Sequence, residues 1–327
     1  MIFQCRNCGG NVVYSPEKKE MYCPFCEGTH SEERKDTRGS LKTCPECAAE
    51  LSAGEHACAL RCPYCDNYLI FEERIEAEYA PDGIIPFQYG RESVKRLLRD
   101  QFRRHLFAPA DFLAEARLNS MEGTYVPFWL YDYAVNCRYR GEGARIRSWV
   151  AGETQYTETS IYEVYRDMDI SYEKIPVDAS LGMPDQVMDL LEPYQYGQMV
   201  GFLPEYLSGF QGETYSLLSG EAQPRAREKM EESARQLLRQ SVSGYADVKN
   251  LFQEIRVDGQ KESYGLLPVW SYRYQYRGRN YPFYINGQTG KIIGKVPVSP
   301  GKVWAYGLTL WAVLAAVLAL LYGIAAG

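Results

Sequence analysis

Eight of the nine cysteines in the first 65 residues follow one spacing, and they constrain this chain more than any other feature. Cys5-x2-Cys8 is followed after fourteen residues by Cys23-x2-Cys26, and the pattern returns 39 residues later as Cys44-x2-Cys47 and Cys62-x2-Cys65. A spacing repeated at all four positions is an internal repeat, not a coincidence of composition. Each Cys-x2-Cys turn puts two thiolates on one knuckle. Two knuckles complete a tetrahedral sulfur shell, for which Zn2+ is the expected ion. Disulfides are the competing use of so many cysteines. The N-terminus Met-Ile-Phe-Gln-Cys has neither a basic n-region nor an apolar h-region, so no cleavable leader and no oxidising destination are expected.

The spacing therefore predicts two tandem zinc ribbons, residues 1–38 and 39–76, holding two structural zinc ions. Shells filled by four cysteines leave no position for water or substrate, so neither site is expected to be catalytic. Val12, Val13 and Tyr14, then Met21 and Tyr22, read as a short hairpin, and Tyr68–Phe71 repeats a strand after the second ribbon. Cys58 falls outside the repeat; a free thiol is expected there, with a ligand exchange against Cys62 as the alternative. His30 and His56 lie near complete shells and read as surface histidines. Residues 1–75 hold nine Lys+Arg and twelve Asp+Glu, and each four-thiolate zinc centre adds about −2. That acidic balance disfavours nucleic acid, whose binding rests on clustered cations, and favours protein partners.

The other end of the chain reads as a membrane segment. No charged side chain follows Lys302, and 303–326 would span about 36 Å as a helix, enough for a ~30 Å hydrocarbon core with tilt. Trp304 and Tyr306 mark one interface and Tyr322 the other. Lys291, Lys295 and Lys302 precede the span, so the positive-inside bias places the N-terminal part in the cytosol of a single-pass, tail-anchored protein. Pairs such as Ala312 with Ala316 and Ala315 with Ala319 are small residues four apart, a pattern an Ala-rich span also produces by chance.

Between ribbons and span, residues 77–300 read as an α+β region, an antiparallel sheet with helices. Helical spacing of Val94, Leu97, Leu98, Phe102 and Leu106 predicts a helix over 91–107. Its other face carries Arg91, Lys95, Arg96, Arg99, Arg103 and Arg104, a solvated face or one for lipid headgroups or an acidic partner. A second helix is expected from Pro224 to Val242, with Ala226, Met230, Ala234, Leu237 and Leu238 inward. A short helix is expected after Pro184, carrying Val187, Met188, Leu190 and Leu191. Strict alternation in Trp129–Arg140 and Trp270–Arg277 predicts long half-buried strands. Pro127-x-Trp129-x-Tyr131-x-Tyr133 recurs as Pro268-x-Trp270-x-Tyr272-x-Tyr274. Each is followed by Tyr-Arg-Gly, which suggests turns at 139–141 and 276–278 and an internal duplication with units 77–180 and 225–300. Cys137 on the aromatic face reads as a core thiol.

Gly287-Gln-Thr-Gly290-Lys291-Ile292 resembles a phosphate loop but lacks the four-residue gap and the Ser/Thr that would hold magnesium, so a glycine-rich hairpin is expected. With three histidines and no nucleophile–base set, no enzyme is expected. Residues 141–224 carry fourteen acidic and four basic side chains, while 256–302 carry eight basic and two acidic. Anionic lipid would draw the second stretch toward the membrane.

The ribbons, the stretch Phe202-Leu-Pro-Glu-Tyr-Leu-Ser-Gly-Phe210, the Leu-Pro-Val-Trp strand and the Asn-Gly-Gln-Thr-Gly-Lys hairpin before a final span together resemble a bacterial family of zinc-ribbon membrane proteins. Its members are often labelled TFIIB-type zinc ribbon or primosomal (replication-restart helicase-like) proteins. The resemblance covers nearly the whole chain, yet this sequence has no helicase motor motif. It implies association with PspA-like and SPFH (flotillin-like) partners in envelope stress. The expected function is a non-enzymatic membrane adaptor that contacts protein partners and lipid and is able to oligomerise. Two alternatives stay open: a membrane-tethered nucleic-acid binder, and an enzyme with a site in 77–300.

Overall fold

The structure is a computed structural model and describes residues 1–34, 43–76 and 79–326. The expected boundaries at 38/39 and at residue 77 lie outside the described residues. Strands β1 (Ile2–Cys5), β2 (Val13–Ser15), β3 (Glu20–Tyr22) and β4 (Ser31–Arg34) make two antiparallel pairs, β1 with β4 and β2 with β3. The second cysteine repeat contributes the hairpin β5 (Ala57–Arg61) and β6 (Tyr68–Ile70). After β7 (Gly83–Ile84) come helices α1 (Arg91–Phe102) and α2 (Glu115–Leu118).

Two very long strands follow, β8 (Glu122–Ala151) and β9 (Thr154–Asp178), joined by a tight turn at Gly152. Next are α3 (Asp185–Leu191), β10 (Gln211–Glu213) and α4 (Ser219–Ser241). A third long strand, β11 (Asp247–Tyr276), precedes β12 (Arg279–Asn286), β13 (Ile292–Gly294) and the terminal helix α5 (Pro300–Ala326). The fold is α+β, as the sequence suggests. One nine-stranded sheet runs β13-β12-β11-β8-β10-β5-β6, with β9 also paired to β8 and β7 to β11. The parallel β8–β10 contact ties the second ribbon into this sheet, so it is continuous with the body.

Alternation explains the layers. Tyr131, Tyr133, Val135 and Cys137 project from one face of β8 and are covered by Ala222, Ala226, Met230 and Ala234 of α4. Small residues on the helix admit tyrosines on the sheet. The Trp129 indole N–H donates to the Leu217 carbonyl at 2.8 Å, and the Tyr131 hydroxyl donates to Ser219 O at 2.5 Å, fixing the start of α4 over the sheet. Between Tyr125 and Leu130 both faces are buried, by separate clusters on either side. Beyond Ala144, β11 ends its pairing and β8–β9 continue as a two-stranded hairpin. Its end exposes Ile146, Trp149, Val150, Tyr156 and Ile161, with Trp149 stacked on Tyr156.

Several expectations are corrected. The helix begun at Arg91 ends at Phe102, not 107, and Leu106 is exposed. The apolar side of α1 is filled by Val94, Leu98 and Phe102; the chain then turns so that Phe112 packs on Tyr272, Tyr274 and Phe283. Lys95 is not on a solvated face: it is 3% exposed and donates to Glu92, Glu115 and Asn119 at 2.6–2.7 Å. Helix α4 starts at Ser219, before Pro224, because the Glu221 carboxylate accepts from the Leu218 N–H and caps it there. On α4 Leu237 faces outward while Leu238 is buried, and on α3 Leu190 is exposed.

The Tyr-Arg-Gly segment at 139–141 is no turn; β8 runs through it, and only Arg277–Gly278 closes a hairpin. Nearby Gly143 serves close approach instead. A Cβ there would come within 2.6 Å of the Tyr245 ring. The glycine-rich segment 287–290 does join β12 to β13 as a hairpin.

Candidate metal centres

The predicted ligands fall into two groups. Cys5, Cys8, Cys23 and Cys26 form one, and Cys44, Cys47, Cys62 and Cys65 the other, with the sulfurs of each group all within 4.8 Å of one another. Sulfur separations are 3.5 Å for Cys5–Cys26 and Cys8–Cys23, 3.6 Å for Cys44–Cys65 and 3.7 Å for Cys47–Cys62. An ion bound tetrahedrally at ~2.3 Å from each sulfur needs separations of about 3.8 Å. Disulfides need about 2.05 Å, and all ten cysteines are free. The donor set thus fits two metal ions.

One backbone device builds all four knuckles. The N–H groups of Gly9, Glu27, Ala48 and Asp66 donate back to the carbonyls of Cys5, Cys23, Cys44 and Cys62. Those four residues have φ between 56° and 73°. Only Gly9 announces this conformation in the sequence; the other three accept the strain of a left-handed residue. The turns also aim N–H groups at sulfur. Those of Cys8 and Asn7 pull the Cys5 thiol down to about 7. At Cys62 burial opposes ionisation, but the N–H groups of Cys65 and Tyr64 outweigh it and the thiol falls to about 7. One thiol in each cluster is thus lowered toward the thiolate, the form that ligates metal, while neighbouring thiols and burial raise Cys8, Cys26, Cys44 and Cys65.

Cys58 belongs to neither group. It is buried on β5, and burial pushes its thiol up to about 12, so it is an inert packing residue. Cys137 is likewise a core thiol, raised by burial. His30 and His56 lie at the surface.

Two features escaped the sequence reading. Phe25 and Tyr64, each the residue before the last cysteine of its centre, are 74% and 71% exposed. They are 39 residues apart, so the repeat itself was the available signal. The second feature is the seat of the first centre on the body. Ser208 Oγ donates to Val12 O at 2.5 Å, Tyr14 N–H donates to Ser208 O at 2.8 Å, and Tyr14 packs edge-on against Tyr206. The segment 202–210 is this clamp.

Helix α5 is the remaining candidate element. Its Pro300–Tyr322 stretch is long and apolar enough to cross a membrane, and none of it is buried in the protein. These features define a class: an α+β protein with two four-cysteine groups that could each hold a metal ion and one C-terminal helix of membrane-spanning length. No protein-family model matches the chain, and no solved structure matches it. Over 321 residues it is 32% identical to the uncharacterized protein YdjG of Bacillus subtilis (strain 168), across 93% of this chain and 92% of that protein. The chain belongs to the YdjG family.

Proposed function

We propose that the protein is a non-enzymatic, tail-anchored membrane adaptor. Its two centres hold structural Zn2+ and present a protein-binding surface on the cytosolic side. The observation that carries this reading is the pair Phe25 and Tyr64, an aromatic left open to water at the same place in both centres. Rigid aromatics on a fixed turn are common anchors of protein interfaces. All-thiolate shells suit zinc and leave no open coordination position. Reduced thiols and the lysines before α5 support the cytosolic orientation. The resemblance to zinc-ribbon membrane proteins supports an SPFH or PspA-like partner and a role in envelope stress.

An internal duplication also suits the register: Val126 lies opposite Leu267, and these are equivalent positions of the two Pro-x-Trp motifs. A local two-fold axis between them would relate two copies of one strand unit.

The test is crosslinking and affinity purification of the full chain from membranes, with and without the double change Phe25→Ser and Tyr64→Ser. The variant should keep two metals per chain and stay in the membrane, yet lose its captured SPFH or PspA-like partner. Undiminished capture would move the surface elsewhere on the body. Binding of DNA or RNA by the purified chain, falling steeply with salt, would replace this reading with the nucleic-acid one.

A further inference from the structure

The turn after α1 meets the membrane helix. Phe107 stacks edge-on against Tyr306 with ring centroids 5.5 Å apart, and its carbonyl accepts from the Ser299 N–H at 2.7 Å. Lys302 is the last charged side chain of the chain. Tyr306 lies one helical turn past it, about 6 Å deeper along the axis. A residue packed on Tyr306 therefore sits where headgroups give way to acyl chains.

Beside Phe107, Leu106 is 67% exposed, and Val298 facing it is 58% exposed. In water these two side chains would form an open apolar spot. Arg103 and Arg104 lie three and two residues before Leu106 in the chain, and Lys295 and Lys302 lie three residues before and four residues after Val298; all four are exposed. Only Arg103 has an ion pair among the described residues, a loose one to Asp100 at 3.9 Å. No acidic side chain occurs after Glu262. A hollow of 260 Å³ opens between Arg104, His105, Leu106, Val296 and Val298.

We propose that Arg103–Phe107 is a second membrane contact that seats Leu106 among acyl chains and takes an anionic lipid headgroup in the hollow beside Arg104. The proposal rests on α5 being the membrane span. Apolar tip, flanking cations and contact with the span coincide in this one turn, and lipid is the partner that satisfies all three.

The full chain is reconstituted in nanodiscs of phosphatidylcholine alone and of phosphatidylcholine with phosphatidylglycerol. Resistance to a high-salt or alkaline wash reports the span independently. A photo-crosslinking benzoylphenylalanine at position 106 should label lipid, and one at position 146, at the far end of β8, should not. Equal labelling from both positions, or none from 106, overturns the proposal. Amide exchange of 104–108 should be slower in the anionic discs. In those discs the Arg103→Ala/Arg104→Ala variant should lose protection by about fivefold per arginine. No loss overturns the headgroup assignment. Inorganic phosphate added to neutral discs should not restore protection; if it does, the hollow is a free-anion site and the proposal fails.

Discussion

Replacing Ser208 with alanine probes whether the first metal centre depends on its seat. Ser208 is 1% exposed and its hydroxyl is the donor held at 2.5 Å from the Val12 carbonyl, between the two knuckles of that centre. Val12 and Ser208 are both buried, so the carbonyl that loses this donor should cost about 1–2 kcal/mol. At roughly 1.4 kcal/mol per decade, local opening of this ribbon should become about tenfold more frequent. The Tyr14 N–H bond to Ser208 O is made by backbone and survives the change, as does the β5–β10 pairing that holds the second centre. The assay is pulsed alkylation in the presence of a chelator, read by mass spectrometry. Peptides bearing Cys5, Cys8, Cys23 and Cys26 should react about tenfold faster, and those bearing Cys44, Cys47, Cys62 and Cys65 at the wild-type rate. No acceleration, or equal acceleration at both centres, would refute the clamp.

Other outcomes follow from the same packing. Ala234→Leu inserts three carbons where α4 touches the sheet with no exposed surface, and should cost about 1–3 kcal/mol, read as a lower urea midpoint with unchanged metal content. A chain ending at Ser299 should leave the membrane fraction; its retention after a high-salt wash would refute a single anchor. The Lys95 ammonium holds the Glu115 carboxyl below its usual range, against the opposing effect of burial and with help from Arg99. A depressed carboxyl stabilises the fold above its unfolded pKa and loses that contribution as pH falls through the folded value. Lys95→Met should therefore flatten the loss of stability below about pH 4.5, and an unchanged acid limb would remove Lys95 from that role.

What the sequence disclosed was whatever depends on local period. The grouping of the eight cysteines followed from their spacing, because four sulfurs on two knuckles have one compact solution. The long strands followed from alternation of Trp129, Tyr131, Tyr133 and Val135, and the membrane-length helix from a run without charge. What it withheld depends on distant partners. Arg91, Lys95 and Arg99 share a basic face on paper, yet Lys95 turns inward because Glu115 and Asn119 come from a helix and turn 20 and 24 positions later. Leu106 satisfies helical spacing, but the Phe112 site on Tyr272 and Tyr274 pulls the chain away first. Positive φ at Glu27, Ala48 and Asp66 has no residue signature, since the knuckle imposes it.

The pairing of β8 with β11 sets an order of events during synthesis. Glu122 meets Ser271 and Ala144 meets Asp247, partners about 100–150 residues apart in the chain. Such closures are slow, because the intervening chain must be ordered before the contacts reward it. β9 follows β8 directly and can zip onto it at once, giving a hairpin whose other edge and tyrosine-lined face are bare. α4 can cover the face as it emerges, but the bare edge waits for β11, whose last residue comes about two dozen positions before Pro300. The body is thus completed only shortly before the apolar helix is made. A chain delayed between α4 and β11 carries the edge most prone to pair with a neighbour, so the need for a chaperone should concentrate in that interval.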